Sequence, residues 1–225
     1  MDGAVAILLA AGAGDRLGAG GPKAFVEIEG VSLLRWAARA AGDSGAVERI
    51  VVVVPPGYEE RTASEVRQAT MVAGGSTRQE SVLAALTAFA IDVPGDRVVL
   101  CHDVARPFAS SMLFTSVASA VEDAAGVVPV VPVADTVKRV DVARVVETVP
   151  RDDLAIAQTP QAFRIGALRE AHQRALAQGR TFTDDAALVE WTGGAIRTVP
   201  GERRNIKITT PEDLELARAI ARAHV

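Results

Sequence analysis

The stretch Ala4–Val26, AVAILLAAGAGDRLGAGGPKAFV, constrains the fold more than any other part of the chain. Val5–Leu9 is an apolar run with the length of a buried parallel strand, and it breaks into a loop carrying Gly12, Gly14, Gly18, Gly20 and Gly21. Glycine has no Cβ to hold the chain away, so such a loop can bring backbone N–H groups against phosphate oxygens. Arg16 and Lys23 place two cations in the same loop. The combination points to a nucleotide-phosphate site at the carboxyl edge of a sheet, with a flexible surface loop as the plain alternative.

Two common phosphate motifs are excluded. A P-loop needs Gly-Lys-Ser/Thr, whereas Lys23 lies between Pro22 and Ala24, and no hydroxyl follows it to hold magnesium. A dinucleotide fingerprint needs a third glycine where this chain has Leu17, and an acidic residue closing the second strand where it has Pro55.

At 225 residues, the chain has the length of one sizeable α/β domain. It is 49% hydrophobic, yet no apolar run approaches the ~18 residues of a membrane span. Met1-Asp2-Gly3 runs directly into the first strand with no secretory signal, so a soluble, cytoplasmic protein is expected. The lone Cys101 ends the apolar run Val98–Leu100 and reads as a core thiol. With 24 Lys and Arg against 28 Asp and Glu, and no basic tail, neither a nucleic acid nor a membrane surface is indicated. Phosphate binding must then rest on local cations.

Strand and helix signals alternate. Ser32 caps a helix with Leu33, Trp36, Ala37, Ala40 and Ala41 on one face and Gly42 as its stop. Next come a strand Ile50–Val54, a helix around Tyr58–Arg67, a strand Thr70–Ala73 and a helix Thr77–Phe89. Val98–Cys101 and Val127–Val131 read as strands flanking a helix capped by Ser110 or Ser111. Later, Ile165–Leu176 is helical, Thr183-Asp184-Asp185 caps a helix through Glu190, and Ala195–Val199 and Asn205–Ile208 read as strands. Thr210, Pro211, Glu212 and Asp213 open the last helix. This order predicts an α/β fold, a mainly parallel sheet with helices on both faces.

The rhythm breaks after Pro132. Val137–Val149 alternates β-branched with charged residues, so residues 133–158 read as a β-arm leaving the single domain formed by residues 1–225. An isolated two-stranded arm is marginal in water, which favours packing on a second copy of the chain over a hairpin lying on its own domain.

Polar islands follow the strands, where an open parallel sheet places its ligand crevice. Gly74–Ser81, GGSTRQES, reads equally as a wall for a flat base and as a turn with a helix cap. Asp103 suits a ribose hydroxyl or a metal-bound water, and Arg106 can orient Asp103 or reach a phosphate. Thr136 and Lys138 lie at the root of the arm, while Arg151 and Lys207 are single cations whose plainest reading is surface charge. His102, His172 and His224 lack metal-ligand spacing, and no Gly-x-Ser-x-Gly elbow is present. Phosphoryl chemistry, which needs positioning and cations but no protein nucleophile, remains.

Taken in order, AAGAGDRLGAGGPK, AGGSTRQESV, HDVARP, PVADTVK, QTPQAF, TDDA and NIKITTPEDL resemble the 2-C-methyl-D-erythritol 4-phosphate cytidylyltransferase family across essentially the whole chain. The resemblance implies a Rossmann-like nucleotidyltransferase fold dimerising through the β-arm. It implies CTP along Ala10, Ala11 and Gly12, with Gly75, Ser76 and Ser81 reading cytosine and Asp103 and Arg106 contacting nucleotide or substrate. Arg16 and Lys23 correspond to the cations that stabilise the pentavalent transition state. Thr136, Arg151 and Lys207 correspond to methylerythritol phosphate binders, the first two donated by the partner's arm. Magnesium is implied as a cofactor held mainly by CTP phosphates. Ala24 departs from the family, which commonly has glutamine after Pro-Lys. The rivals are a cytidylyltransferase for another polyol phosphate, such as ribitol 5-phosphate, and a non-catalytic nucleotide-binding regulator.

Overall fold

The computed structural model describes residues 3–14, 17–18, 20–89 and 93–223. Strand β1 (Ala4–Leu9) lies inside the sheet, and the two-residue period of its side chains sorts the core into two layers. The chain then crosses the glycine loop and a 3-10 turn at Lys23–Phe25 into a minimal hairpin, β2 (Glu27–Ile28) and β3 (Val31–Ser32). This hairpin is too short for any periodic signal. Ser32 accepts a hydrogen bond from the Arg35 N–H and caps α1 (Leu33–Gly42), as its position predicts.

There follow β4 (Val47–Val54), α2 (Glu59–Glu65), β5 (Thr70–Ala73) and α3 (Arg78–Ala88). Next are β6 (Val98–Asp103), α4 (Ser111–Ser119) with Ser110 as its cap, and β7 (Gly126–Pro132). The arm strands β8 (Val137–Asp141) and β9 (Arg144–Val149) precede β10 (Ala155–Ala157) and β11 (Gln161–Arg164). Helices α5 (Ile165–Ala177) and α6 (Asp185–Trp191), strand β12 (Ile196–Pro200) and helix α7 (Pro211–Arg222) complete the order.

Strands β5, β4, β1 and β6 lie side by side and parallel. Strand β11 enters antiparallel between β6 and β7, and β7 also pairs with β10 antiparallel and β12 in parallel. Val5 and Ile7 pack against Val82 and Leu86 of α3, Leu168 of α5 and Leu188 of α6. On the opposite face, Ala6 meets Phe114 and Val117 of α4, and Leu8 meets Leu34 and Ala37 of α1. Each large side chain buried this way contributes ~1.5–3 kcal/mol. Covered on both faces, the sheet opens only at its rim, and the carboxyl ends of β1, β4, β5 and β6 share one side of it.

Three sequence expectations change. Gln161–Arg164 is a strand that the sequence does not mark, because four residues give no period and their pairing is supplied by Cys101 and Val127 from distant elements. Asn205–Ile208 is not a strand. Ile208 is buried against Ile28, Leu33 and Ala217, but its N–H reaches only the carbonyl of Ala105, a loop residue beyond the end of β6, and no ladder forms. The arm is shorter than residues 133–158, since Ala155–Ala157 joins the main sheet beside β7 and only β8 and β9 form a separate two-stranded sheet. Among the described residues, no helix is long and apolar enough to cross a membrane.

Candidate functional site

A cavity of about 450 Å³ opens where the glycine loop, the turn after β5 and the end of β6 converge. Its floor is Ala10–Gly14, one wall is Gly75–Arg78 with Ser81, and the other is Asp103–Ala105 with Lys207. Lys23 and Ala24 close the side nearest the 3-10 turn. The residues expected at a nucleotide, Ala10, Ala11, Gly12, Gly75, Ser76, Ser81 and Asp103, are thus brought together with Lys23 and Lys207. Arg16 lies outside the described residues.

Local chemistry explains the loop. Gly14 has φ +82°, and a Cβ there would stand 3.1 Å from the Lys23 nitrogen, so the turn needs glycine. The Lys23 N–H donates to the Gly12 carbonyl at 3.2 Å, tying the ends of the loop together. Behind it, Phe25 stacks on Tyr58 at 5.1 Å, and the Arg61 guanidinium lies 4.5 Å above the Phe25 ring. These contacts fix the turn that aims Lys23, whose Nζ donates to the Ile208 carbonyl at 2.7 Å.

The wall after β5 is both a cap and a lining. Gly74 admits close packing, because a Cβ there would fall 2.4 Å from that of Ala11. Thr77 accepts from the Glu80 N–H, while Glu80 Oε2 accepts from the Ser76 N–H at 2.7 Å and the Ser76 hydroxyl at 2.6 Å. These hydrogen bonds lower the Glu80 carboxyl pKa. The Gly75 N–H donates to Ser81 Oγ at 3.2 Å. The helix cap is at the same time a wall of the cavity.

Strand alternation sets the other wall. Cys101 and Asp103 point toward α3 and α6, whereas Leu100 and His102 point toward α4. Asp103 Oδ1 accepts from Arg78 Nε at 3.1 Å, and Oδ2 accepts from Lys207 Nζ at 2.8 Å. Burial alone would raise the Asp103 carboxyl pKa, but Arg78 and Lys207 outweigh it and hold the group below the usual carboxylate range. Arg78 also donates through Nη1 to Asp185 Oδ2 at 2.7 Å, and Asp185 Oδ1 lies 3.3 Å from His172 Nε2. Cys101 is fully buried in this neighbourhood; burial first, then Asp185, raises its thiol pKa, as a core thiol requires.

His102 is buried and locked in its neutral form. Its Nε2 lies 3.2 Å from the Arg106 carbonyl, which can only accept, so Nδ1 is left to accept from Thr159 Oγ1 at 3.1 Å. Burial pushes its pKa down to about 4.

Arg106 does not orient Asp103 and does not line the cavity. Its guanidinium donates to the carbonyls of Asn205 at 2.8 Å and Ala157 at 3.3 Å, fastening the 205–208 segment to the end of β10. Thr136 and Arg151 are exposed at the root of the arm, Arg151 bonded to the Ala134 carbonyl, and neither touches the cavity of its own chain. Arg78 escaped the sequence reading, although one signal was available. A cation in the first turn of a helix opposes the helix dipole, so Arg78 at the start of α3 implies nearby carboxylates.

Among the described residues, the cavity therefore presents Lys23, Arg78 and Lys207 against the single carboxylate of Asp103, in a chain whose net charge is -4. A local cationic surplus on a glycine floor suits a polyphosphate. Among the same residues, no group of three or more His, Cys, Asp or Glu is placed to hold a metal.

Residues 4–223 match the family model described as IspD: 2-C-methyl-D-erythritol 4-phosphate cytidylyltransferase. The chain is 48% identical over 222 residues to the 2-C-methyl-D-erythritol 4-phosphate cytidylyltransferase of Saccharopolyspora erythraea, covering 96% of this chain and 98% of that protein. It is 44% identical over 213 residues to the bifunctional enzyme IspD/IspF of Nitrobacter hamburgensis, covering 92% of this chain and 52% of that one, about half its length. The crystal structure of 2-C-methyl-D-erythritol 4-phosphate cytidylyltransferase from Thermus thermophilus matches with a TM-score of 0.83 and 39% identity, over 97% of this chain and 99% of that one. The nucleotidyltransferase architecture thus has a close counterpart, and the chain belongs to the 2-C-methyl-D-erythritol 4-phosphate cytidylyltransferase family.

Proposed function

We propose that this chain transfers CMP from CTP to 2-C-methyl-D-erythritol 4-phosphate, giving 4-diphosphocytidyl-2-C-methyl-D-erythritol and pyrophosphate. The observation that carries the reading is the meeting of Lys23, Lys207 and Asp103 over a glycine floor at the carboxyl rim of the sheet. A phosphate oxygen of the alditol substrate attacks the α-phosphorus of CTP. A new P–O bond forms, the bond to the β-phosphate oxygen breaks, and pyrophosphate carries away the electron pair. The attacking phosphate is already ionised near neutral pH, so the reaction needs no strong base and is limited by repulsion between anions. Lys23 offsets that repulsion, joined by Arg16 in the same loop, and Lys207 holds the incoming phosphate.

The base lies against Gly75, Ser76 and Ser81, the phosphates follow Ala10–Gly12, and Asp103 faces the ribose. Magnesium belongs to the same reading. Asp103 is the carboxylate available to it, and each of its engaged oxygens keeps a second lone pair for a metal-bound water. The ion would be held mainly by phosphate oxygens and would supply charge neutralisation. The reading also includes a homodimer in which Thr136 and Arg151 from one protomer's arm complete the alditol site of its partner. Support comes from the exposed Val140, Val142, Val145 and Val146 on the arm and from neither residue lining the cavity of its own chain. A nucleotide substrate supports a cytoplasmic location.

The test offers purified protein CTP and magnesium with each alditol phosphate and records pyrophosphate release. Methylerythritol phosphate is expected to be used with kcat/KM at least about 10²-fold above ribitol 5-phosphate, the scale on which a pocket rejects a substrate differing by a methyl or hydroxyl group. Equal or better use of ribitol 5-phosphate overturns the substrate assignment, and CTP binding with no turnover favours a nucleotide-binding regulator.

A further inference from the structure

We infer that Arg78 is a positioning residue for the nucleotide, acting through Asp103 and anchored from behind by the buried Asp185–His172 pair; this rests on the CTP reading of the cavity. The geometry is a chain of charges drawn from separate parts of the fold. His172 on α5 touches Asp185 at the start of α6, Asp185 accepts from Arg78 at the start of α3, Arg78 donates to Asp103 at the end of β6, and Asp103 accepts from Lys207. Two edges of one planar guanidinium serve two carboxylates, Nε at 3.1 Å from Asp103 and Nη1 at 2.7 Å from Asp185. An ammonium is a single point of donation at the end of a flexible stem and cannot reproduce that fork.

The direction of action follows from burial. Asp185 and His172 are 1% and 0% exposed and face the core, so they cannot meet a ligand. The remaining terminal nitrogen of Arg78, Nη2, is itself buried and makes no hydrogen bond among the described residues. Asp103, Lys207 and part of Arg78 line the cavity, whereas Asp185 and His172 do not. The buried end is the anchor and the rim end is the working part. The anchor is electrostatically sound, since the carboxylates of Asp185 and Asp103 outweigh the burial that disfavours the charge on Arg78. Asp185 also sits in the first turn of α6, where the helix dipole favours an anion. Without the fork, Asp103 keeps Lys207 but loses the contact that fixes its rotamer, and the ribose-facing carboxylate and its cation move together.

The experiment is a double-mutant cycle read in steady-state kinetics with CTP. Arg78→Ala is expected to lower kcat/KM for CTP by about 30-fold, the scale of a misplaced positioning contact, with a smaller rise in KM for the alditol phosphate because Lys207 moves with Asp103. In the Asp103→Asn background, the same change is expected to cost no more than about twofold, because its effect passes through the carboxylate already neutralised. Arg78→Lys is expected to recover less than about threefold of the loss, since charge without the fork is insufficient. Asp185→Asn, remote from the cavity, should lower kcat/KM for CTP in the same direction and fall silent in the same background.

Equal costs in both backgrounds, full recovery by lysine, or no effect of Arg78→Ala each overturns the inference. Should Arg78→Ala fail to fold, Arg78→Lys and Asp185→Asn carry the cycle. An unmutated protein without CTP turnover rejects the functional reading instead, so the two failures are distinguishable.

Discussion

The glycine loop at the rim and the β8–β9 arm are both polar excursions from the same sheet, and they are ordered by opposite means. At the rim, Gly12 and Lys23 close the loop through the backbone, Gly74 packs on Ala11, and Asp103 is clamped by Arg78 and Lys207. Little of that order depends on anything outside the chain. The arm has a regular ladder from Val137↔Val149 to Asp141↔Arg144, yet four of its valines are exposed, Val142 to 99%. A two-stranded ribbon with apolar groups on its surface has its stabilising partner elsewhere. The difference teaches where to seek function in each region, inside the fold for the rim and, under the proposed dimer, on the exposed surface of the arm.

The largest effect is expected at the rim. Lys23→Ala should lower turnover by about 10²–10³-fold, the usual consequence of losing one preorganised donor to a transition-state charge. Because the Lys23 backbone N–H, not its side chain, holds the Gly12 carbonyl, the loop should persist and CTP binding should change far less than kcat. Arg16→Ala is expected to fall in the same range. Unchanged turnover in both variants would remove the cations from the mechanism and with them the contrast between a working rim and an assembling arm.

The rim was largely legible in the sequence because its signals are local. A strand followed by glycines and cations, a hydroxyl followed three residues later by Glu80, and a polar island after each strand are all visible within a few residues. What stayed hidden is non-local. Gln161–Arg164 becomes a strand only because β6 and β7 leave a lane between them, and Ile208 mimics a strand residue while its N–H finds only a loop carbonyl. Arg106 shows the same limit. Within HDVARP its natural partner is Asp103, but in space the carbonyls of Asn205 and Ala157 claim it and Arg78 takes its place. Pairwise assignments inside a motif are thus weaker than the motif itself.

A smaller effect is expected from pH, through groups buried beside the rim. In the unfolded chain, His102 takes up a proton near its ordinary value of 6.5, whereas in the fold it does so only near 4, so stability is full above about pH 6.5 and falls toward 4. One linked proton gives a slope of about 1.4 kcal/mol per pH unit. Below that range, Asp103 and Asp185, whose folded pKa values are also lowered, extend the loss as the unfolded chain protonates its carboxylates. Urea titrations between pH 7.5 and 4.5 should show the slope, and His102→Gln should flatten it. A slope that survives this substitution assigns it to other groups.

The smallest effect on the chain itself is expected from the arm, which makes it the sharpest test of the comparison. Val145→Lys with Val146→Lys puts charge on a surface that is already solvated in one copy, so the intrinsic stability of the fold should change by about 0.5 kcal/mol or less. If a second copy covers the arm, the same pair buries two ammonium groups at an interface, and sedimentation should show the dimer dissociating at concentrations where the unmodified chain stays associated. Activity should fall with it, because Thr136 and Arg151 sit at the arm's root and do not line the cavity of their own chain. Mixing inactive Arg16→Ala and Arg151→Ala chains separates assembly from chemistry. In a heterodimer, one of the two sites receives an intact loop from one chain and an intact arm from the other, so partial activity should return. Proven subunit exchange with no return would put Arg151 in its own chain's site and make the arm part of the rim it has been contrasted with.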